Sequence, residues 1–137
     1  MLEKFLQWAK DKYEIHLFKK RVLSVKKHQV WLANLGVNIG SEQNKLRPVV
    51  ILNNISSKLL NTVIIAPVSS VKNKEKIESV LNCPIFSHVS GIKKDSVCLI
   101  HQIRCVDKKR LVKEIGYLSK EEKDSIEEAL KKMLFRN

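Results

Sequence analysis

Apolar side chains recur at steps of three and four residues near the start of the chain, with lysines between them. This spacing predicts an amphipathic helix over residues 2–24. The helix can pack on its own domain or on a second copy of the chain, and we favour this arrangement. It can also lie on a membrane or a partner protein, because Trp8 and Phe18 suit an interface. The predicted apolar stripe consists of Leu2, Phe5, Leu6, Ala9, Tyr13 and Leu17.

The pattern changes at Gln29, where runs rich in β-branched and aromatic residues alternate with turn residues. Such runs are too short for helices and predict β-strands. The stretch from 72 to 94 is less regular, since Pro84 and Gly91 interrupt it. The predicted strands are 29–35, 48–52, 62–67, a weaker one near 79–82, a long one over 96–106 and a brief one over 113–118.

The last third of the chain carries two capping signals. Asp107 can accept from the free N–H groups of a short turn over residues 108–111. Ser119 and Glu122 have the spacing of a capping box, which predicts a helix from there to the end of the chain. Its predicted core-facing residues are Ile126, Ala129, Leu130, Met133 and Leu134.

Short strands with a helix at each end of the chain indicate an α+β, mainly β domain, either a small antiparallel barrel or a curved sheet with helices packed on it. A length of 137 residues fits one domain. No apolar run reaches the roughly 20 residues that cross a membrane. Charged residues interrupt the N-terminal segment, unlike a signal peptide, so we expect a cytoplasmic protein without a membrane partner.

Charge narrows the choice of partner. Lysine and arginine number 26 against 14 acidic residues, which gives a net charge of +12. A strongly basic domain favours a polyanionic partner such as nucleic acid, although a basic charge without such a partner stays possible. The three cysteines lack C-x-x-C spacing and the four histidines lack metal-ligand spacing. We therefore predict reduced thiols, no metal site and no cofactor.

Four blocks of sequence occur in an order that resembles a known family. The first spans residues 30–52 and contains Gly40-Ser41-Glu42-Gln43 and Arg47-Pro48, and the others are residues 62–70, 94–99 and 102–111. Together they resemble the MazF/PemK family of toxin endoribonucleases. The resemblance assigns residues 28–137 to the toxin domain and leaves residues 1–27 as an N-terminal helical extension. At the start of the first strand the family commonly has Gly-Asp, whereas this chain has His28-Gln29.

Membership would imply an SH3-like antiparallel barrel with a C-terminal helix, usually a homodimer, neutralised by a cognate antitoxin protein. The expected activity is sequence-selective, metal-independent cleavage of single-stranded RNA. In this chemistry the ribose 2′-OH attacks the neighbouring phosphorus, leaving a 2′,3′-cyclic phosphate and a 5′-OH end. The enzyme must stabilise charge on phosphorus, accept one proton and donate another.

The resemblance also implies roles for individual residues. Arg47 stands at the position of the essential arginine, whose guanidinium stabilises the transition state. Ser69 stands at the position of a catalytic hydroxyl, although Ser69-Ser70 alone is typical of a turn. Glu42 either accepts the 2′-OH proton or orients Arg47. The predicted RNA-binding residues are Ser41, Gln43, Lys45, Ser70, His101 and Gln102.

Several alternatives remain open at this point. His101 replaces a commonly acidic residue, so it is either an acid/base group or a structural histidine. The whole domain could be a catalytically silent RNA- or DNA-binding barrel, or a topoisomerase poison of the related toxin fold. Retention of Arg47 and Ser69 favours the nuclease. The extension could pack on the barrel or dimer, contact RNA, or cover the antitoxin groove, and packing is our prediction.

Overall fold

A computed structural model describes residues 1–17, 25–36, 46–53, 61–70 and 81–135, with the side chains of residues 11–17 excepted. Its helices and strands are α1 (Leu2–Leu17), β1 (Gln29–Asn34), β2 (Leu46–Ile51), β3 (Thr62–Ser70), β4 (Asn82–Ile85), β5 (Ser96–Leu99), β6 (Arg104–Asp107), β7 (Leu111–Tyr117) and α2 (Lys120–Phe135). Three short 3₁₀ helices cover His88–Ser90, Ile100–Gln102 and Lys108–Arg110. Within the described ranges, no helix is both long and apolar enough to span a bilayer.

The strands form an antiparallel sheet in the order β4-β5-β3-β2-β1-β7, and β6 also pairs with β3. The two ends of this order approach each other. Gly116 of β7 lies so close to the backbone of Ser90, shortly after β4, that a Cβ at this glycine would overlap it. The sheet therefore curls on itself, and the predicted antiparallel, barrel-like α+β architecture with a helix at each end of the chain is confirmed.

Side chains alternate between two apolar clusters on opposite faces of the sheet. In β2, Val50 belongs to one cluster, whereas Val49 and Ile51 belong to the other. The first cluster also contains Ile126 and Ala129, so it lies between the sheet and α2. Because β1, β2 and β3 are buried on both faces, the centre of the sheet is a rigid support for residues at the strand ends.

The start of α2 follows the predicted capping box. The N–H of Ser119 donates to Glu122 Oε1 at 2.8 Å, and the N–H of Glu122 donates to Ser119 Oγ at 3.4 Å. Glu122 is fully buried, and its other carboxylate oxygen accepts from the N–H groups of Phe86 and Ser87 at 2.7 and 3.1 Å. This carboxylate therefore fixes α2 to the segment that follows β4.

The prediction of one long strand over residues 96–106 was wrong in detail. The structure divides it into β5 and β6 at the 3₁₀ helix Ile100–Gln102. Ile100 is fully buried and its N–H donates to Leu81 O at 3.0 Å, so the chain turns there to bury this side chain. The break lets β5 and β6 pair with different parts of β3.

Other boundaries also shifted. A weak strand was expected near 79–82; the structure has β4 at Asn82–Ile85, which shares Asn82 with it, and residues 79–80 lie outside the described residues. β4 contains Pro84, and a proline is tolerated because β4 is an edge strand. The strand expected over 62–67 extends to Ser70, so Ser69-Ser70 is the end of β3 and not a turn. Asp107 does cap its short turn, since its side chain accepts from the Lys109 N–H at 2.8 Å. The expected helix over 2–24 is described to Leu17, and residues 18–24 lie outside the described residues.

Candidate active site

Arg47 and Ser69 lie at the same end of two neighbouring strands. Arg47 is the second residue of β2 and pairs with Ala33 of β1, while Ser69 is the penultimate residue of β3. The pairing of β2 with β3 ends at Val49 and Pro67. Extending this register by two residues places Arg47 opposite Ser69, with both side chains on one face of the sheet.

These two side chains line a common cleft. The cleft is open and has a volume of about 490 Å³. Arg47, Ser69 and Ser70 form one side, and Lys93 and Lys94 enter from the loop before β5. The rest of the wall is apolar or small and consists of Leu32, Leu46, Pro48, Val68, Gly91, Ile92, Ser96 and Ile115.

The loop that carries the two lysines is held by internal hydrogen bonds. The buried Ser90 hydroxyl donates to Ser87 O at 2.8 Å and accepts from the Ile92 N–H at 3.2 Å. The buried Ser96 hydroxyl donates to Lys94 O at 2.9 Å. Since both serines are buried, the backbone under the lysines is ordered before any ligand arrives.

The chemistry of the cleft is that of an anion site. Arg47, Lys93 and Lys94 supply positive charge, and no acidic side chain belongs to the lining formed by the described residues. The Ser69 hydroxyl makes a long hydrogen bond of 3.5 Å to Ser70 O, which is weak and leaves it able to donate to another acceptor. A phosphodiester would meet a guanidinium, two ammonium groups and a hydroxyl here.

The other predicted site residues are distributed differently. Ser41, Glu42, Gln43 and Lys45 lie outside the described residues. His101 and Gln102 are exposed on the 3₁₀ helix after β5, with His101 Nε2 3.5 Å from Gln102 Nε2. Neither belongs to the cleft lining. The structure thus brings Arg47, Ser69 and Ser70 together in one cleft, and the roles of all the predicted site residues stay predictions.

Sequence reasoning missed Lys93 and the apolar wall of the cleft. Lys94 was part of the third sequence block, but no role was assigned to it. The sequence shows two adjacent lysines one residue before β5, but the pairing of β5 with the Ser69-Ser70 end of β3 comes from the structure, so the sequence alone did not place the lysines at the cleft. Among the described residues, no group of three or more His, Cys, Asp or Glu side chains could hold a metal ion.

Comparisons of the sequence with known proteins give matches that cover most of the chain. A sequence model of PemK-like, MazF-like toxins of type II toxin-antitoxin systems matches residues 26–134. Endoribonuclease EndoA of Bacillus subtilis (strain 168) is 36% identical over 107 residues, covering 77% of this chain and 90% of the relative.

Solved structures show the same fold. Mycobacterium tuberculosis toxin MazF-mt6 matches with a TM-score of 0.60 and 23% identity, covering 75% of this chain and 92% of its own. A MazE-MazF structure (Form-II) from Deinococcus radiodurans matches with a TM-score of 0.65 and 17% identity. The match covers 84% of this chain and 99% of the matched chain. From the family match over most of the chain and the 36% identity to a curated relative, this protein belongs to the PemK-like, MazF-like toxin family of type II toxin-antitoxin systems.

Proposed function

We propose that this endoribonuclease toxin cuts single-stranded RNA in the cleft between Arg47 and Ser69, without a metal ion. The ribose 2′-OH gives up its proton and attacks the adjacent phosphorus, the bond to the 5′-oxygen breaks, and this oxygen takes up a proton. The products carry a 2′,3′-cyclic phosphate and a 5′-OH. The observation that supports this proposal is the placement of Arg47 and Ser69 in one cationic cleft.

Arg47 stabilises the charge that develops on the phosphoryl oxygens during attack. A guanidinium offers several donors in one plane and stays charged at every relevant pH. Arg47 is half-buried at the start of β2, where its backbone pairs with β1. The backbone from which its side chain extends is therefore fixed before RNA binds. Such fixed donors lower the barrier because they need not reorganise during the reaction.

Ser69 donates its hydroxyl to a non-bridging oxygen of the same phosphate. Lys93 and Lys94 bind neighbouring phosphates, and the apolar wall accepts a base or ribose face. Glu42, five residues before Arg47, either accepts the 2′-OH proton or orients the guanidinium. The flanking contacts proposed for Ser41, Gln43, Lys45, Ser70, His101 and Gln102 add RNA affinity outside the reacting phosphate.

The proposed protein partners are an antitoxin and a second copy of this chain. A net charge of +12 suits a partner segment rich in acidic residues. The similar structure from Deinococcus radiodurans is of MazE-MazF, so a similar fold occurs there with a second protein. We place the activity in the cytoplasm, where RNA is available.

The test is cleavage of a long single-stranded RNA in EDTA, with end-group analysis of the products. The Arg47→Ala and Ser69→Ala variants should each lose about 100-fold or more in cleavage rate, as when one transition-state donor is removed elsewhere. Arg104→Ala is the matched control, since this arginine is exposed on β6 and outside the cleft lining. It should cut at the wild-type rate.

The same assay separates the roles of the lysines from that of Arg47. The double variant Lys93→Ser/Lys94→Ser should raise KM and weaken its salt dependence, because fewer counterions are released on binding. Lys131→Ser/Lys132→Ser removes equal charge from exposed positions of α2 and should leave KM and its salt dependence unchanged. A wild-type protein that binds RNA but leaves a broad sequence pool intact would instead be the silent binding barrel.

A further inference from the structure

The N-terminal helix lies outside the residues that match the family, which begin at residue 26. Nevertheless, it contacts the barrel. Of residues 1–10, Trp8 alone is not exposed, while the apolar Leu2 and Leu6 are 72% and 61% exposed. The helix packs against the 3₁₀ helix Lys108–Arg110. Trp8 is therefore the least exposed side chain of this part of α1.

The indole of Trp8 lies on Gly36, two residues beyond β1. Gly36 is buried and has a φ of +78°, a backbone conformation that favours glycine. A Cβ at this position would overlap Trp8 Nε1. The ring thus occupies the space that a side chain at position 36 would need, so the contact requires a glycine at that position.

Two hydrogen bonds extend this contact to the end of β1. The Gly36 N–H donates to Asn34 Oδ1 at 3.0 Å, and Arg110 Nη1 donates to Asn34 O at 3.1 Å. We call Trp8, Asn34, Gly36 and Arg110 the Trp8 cluster. Asn34, the last residue of β1, is thus held by the Gly36 N–H and by the side chain of Arg110. The N-terminal helix contributes through the contact of Trp8 with Gly36.

The end of β1 is also where the reactive arginine is held. Ala33 pairs with Arg47, and Asn34 pairs with Leu46, which directly precedes Arg47 in the chain. A displacement of Asn34 would therefore move the start of β2 and the base of the Arg47 side chain. Misplacement of a catalytic group by about 1 Å can cost 100-fold in rate, so a remote contact at this point affects the reaction.

We propose that Trp8 is a positioning residue: by packing on Gly36 it holds the end of β1 and, through the β1–β2 pairing, Arg47 in the geometry for cleavage. This inference rests on the proposed function of Arg47. It gives the N-terminal helix a role in the activity of this chain that the matched family region does not contain.

The test compares Trp8→Ala, Trp8→Phe and the control Leu6→Ala in steady-state RNA cleavage at a temperature well below unfolding. Trp8→Ala should lower kcat by about tenfold to 100-fold with KM nearly unchanged, because the lysine contacts remain. Trp8→Phe keeps a ring on Gly36 and should restore most of kcat. Leu6→Ala removes an exposed apolar side chain from the same helix and should change nothing.

A double-mutant cycle identifies the contact itself. Gly36→Ala introduces the methyl group that would overlap the indole, so its effect on kcat should be smaller in the Trp8→Ala background than in the wild type. With Leu6→Ala, its effect should be additive. Equal effects in all backgrounds would contradict the role of the Trp8–Gly36 contact.

Failure of this inference is distinguishable from failure of the proposed function. If the wild type cuts RNA and Trp8→Ala loses thermal stability but keeps kcat, the helix only stabilises the fold and the inference is wrong. If the wild type does not cut RNA, the proposed function fails, and the inference is decided by the Arg47 Nε–H resonance in NMR. That resonance should shift in Trp8→Ala and not in Leu6→Ala; unchanged spectra would overturn the inference.

Discussion

The two helices have similar length and apolar spacing, but the apolar face of α2 is buried whereas that of α1 is largely exposed. Each has 16 residues and one apolar face. In α2, Ile126 and Ala129 are fully buried against the sheet, whereas in α1, Leu2 and Leu6 are largely exposed. Apolar spacing therefore predicts a helix and its face, but not what covers that face. The cover depends on the rest of the chain or on another molecule.

The first turns of the two helices also differ in the contacts that they make with the rest of the chain. The first turn of α2 has a capping box, and its Glu122 also accepts two N–H groups from the segment after β4. At the start of α1 the Phe5 N–H donates to Met1 O at 3.1 Å, a bond within the helix itself. Tertiary contacts thus hold the start of α2, while Trp8 anchors the described part of α1 from its middle.

The largest effect should come from the apolar face of α2. Ile126→Ala leaves a cavity in a fully buried position and should lower the free energy of unfolding by about 3 to 4 kcal/mol. Leu6→Ala on α1 should change it by less than about 0.5 kcal/mol. Urea unfolding of both variants measures the difference. Equal losses would mean that α1 buries its apolar face in solution, as in a dimer.

The next effect concerns the buried carboxylate. Glu122→Ala leaves the N–H groups of Phe86, Ser87 and Ser119 without this acceptor and should cost about 3 kcal/mol in the free energy of unfolding. The matched control is Glu121→Ala, because Glu121 is exposed in the same turn of α2. Chemical denaturation should place the control within about 0.5 kcal/mol of the wild type. A small loss for Glu122→Ala would show that water replaces the carboxylate.

The smallest effect is a pH dependence where α2 meets the start of β1. His28 Nε2 lies 3.1 Å from Glu127 Oε1, and Lys27 Nζ lies 2.7 Å from the same oxygen. Burial lowers the pKa of His28 below its usual 6.5, partly opposed by Glu127 and assisted by Lys27 and Lys123. The folded state therefore binds this proton less readily than the unfolded state, and stability should fall as pH drops below about 6.5.

The Lys27 hydrogen bond lowers the pKa of Glu127 from its usual 4.5, so the stability lost through Glu127 appears at lower pH. Melting temperatures at pH 7.5 and 5.5 therefore report on His28 and not on Glu127. His28→Asn removes the titrating group and keeps a residue that tolerates the φ of 72° at this position. Its melting temperature should fall less between these pH values than that of the wild type. An equal fall would assign the pH dependence to other groups.

The sequence predicted the fold well where one local rule determined the element. The capping box at Ser119 and the cap at Asp107 depend on neighbours within three residues, and both were confirmed. The break at Ile100 was not predicted, because apolar residues stand on both sides of it and no glycine or proline marks a turn between residues 96 and 106. Its cause is non-local: β3 pairs with two strands along one edge, and the chain must turn between them.

The candidate site was predicted from the resemblance to a family and not from a local rule of helix or strand formation. Arg47 and Ser69 came from the resemblance, because charge and periodicity alone gave them no chemistry. The strand register then supplied a physical basis for their proximity. Lys93 could not be assigned from sequence, since its place in the cleft depends on a loop held by Ser90 and Ser96.

The cysteines have a practical consequence. Cys83 and Cys98 face each other across the β4–β5 pair, both buried, and burial raises the pKa of both thiols. Cys105 is exposed on β6. Since alkylating reagents attack the accessible thiolate, a maleimide dye should label Cys105 first. The natural chain thus carries a single-site attachment point for fluorescence or spin-label spectroscopy, without replacement of any cysteine.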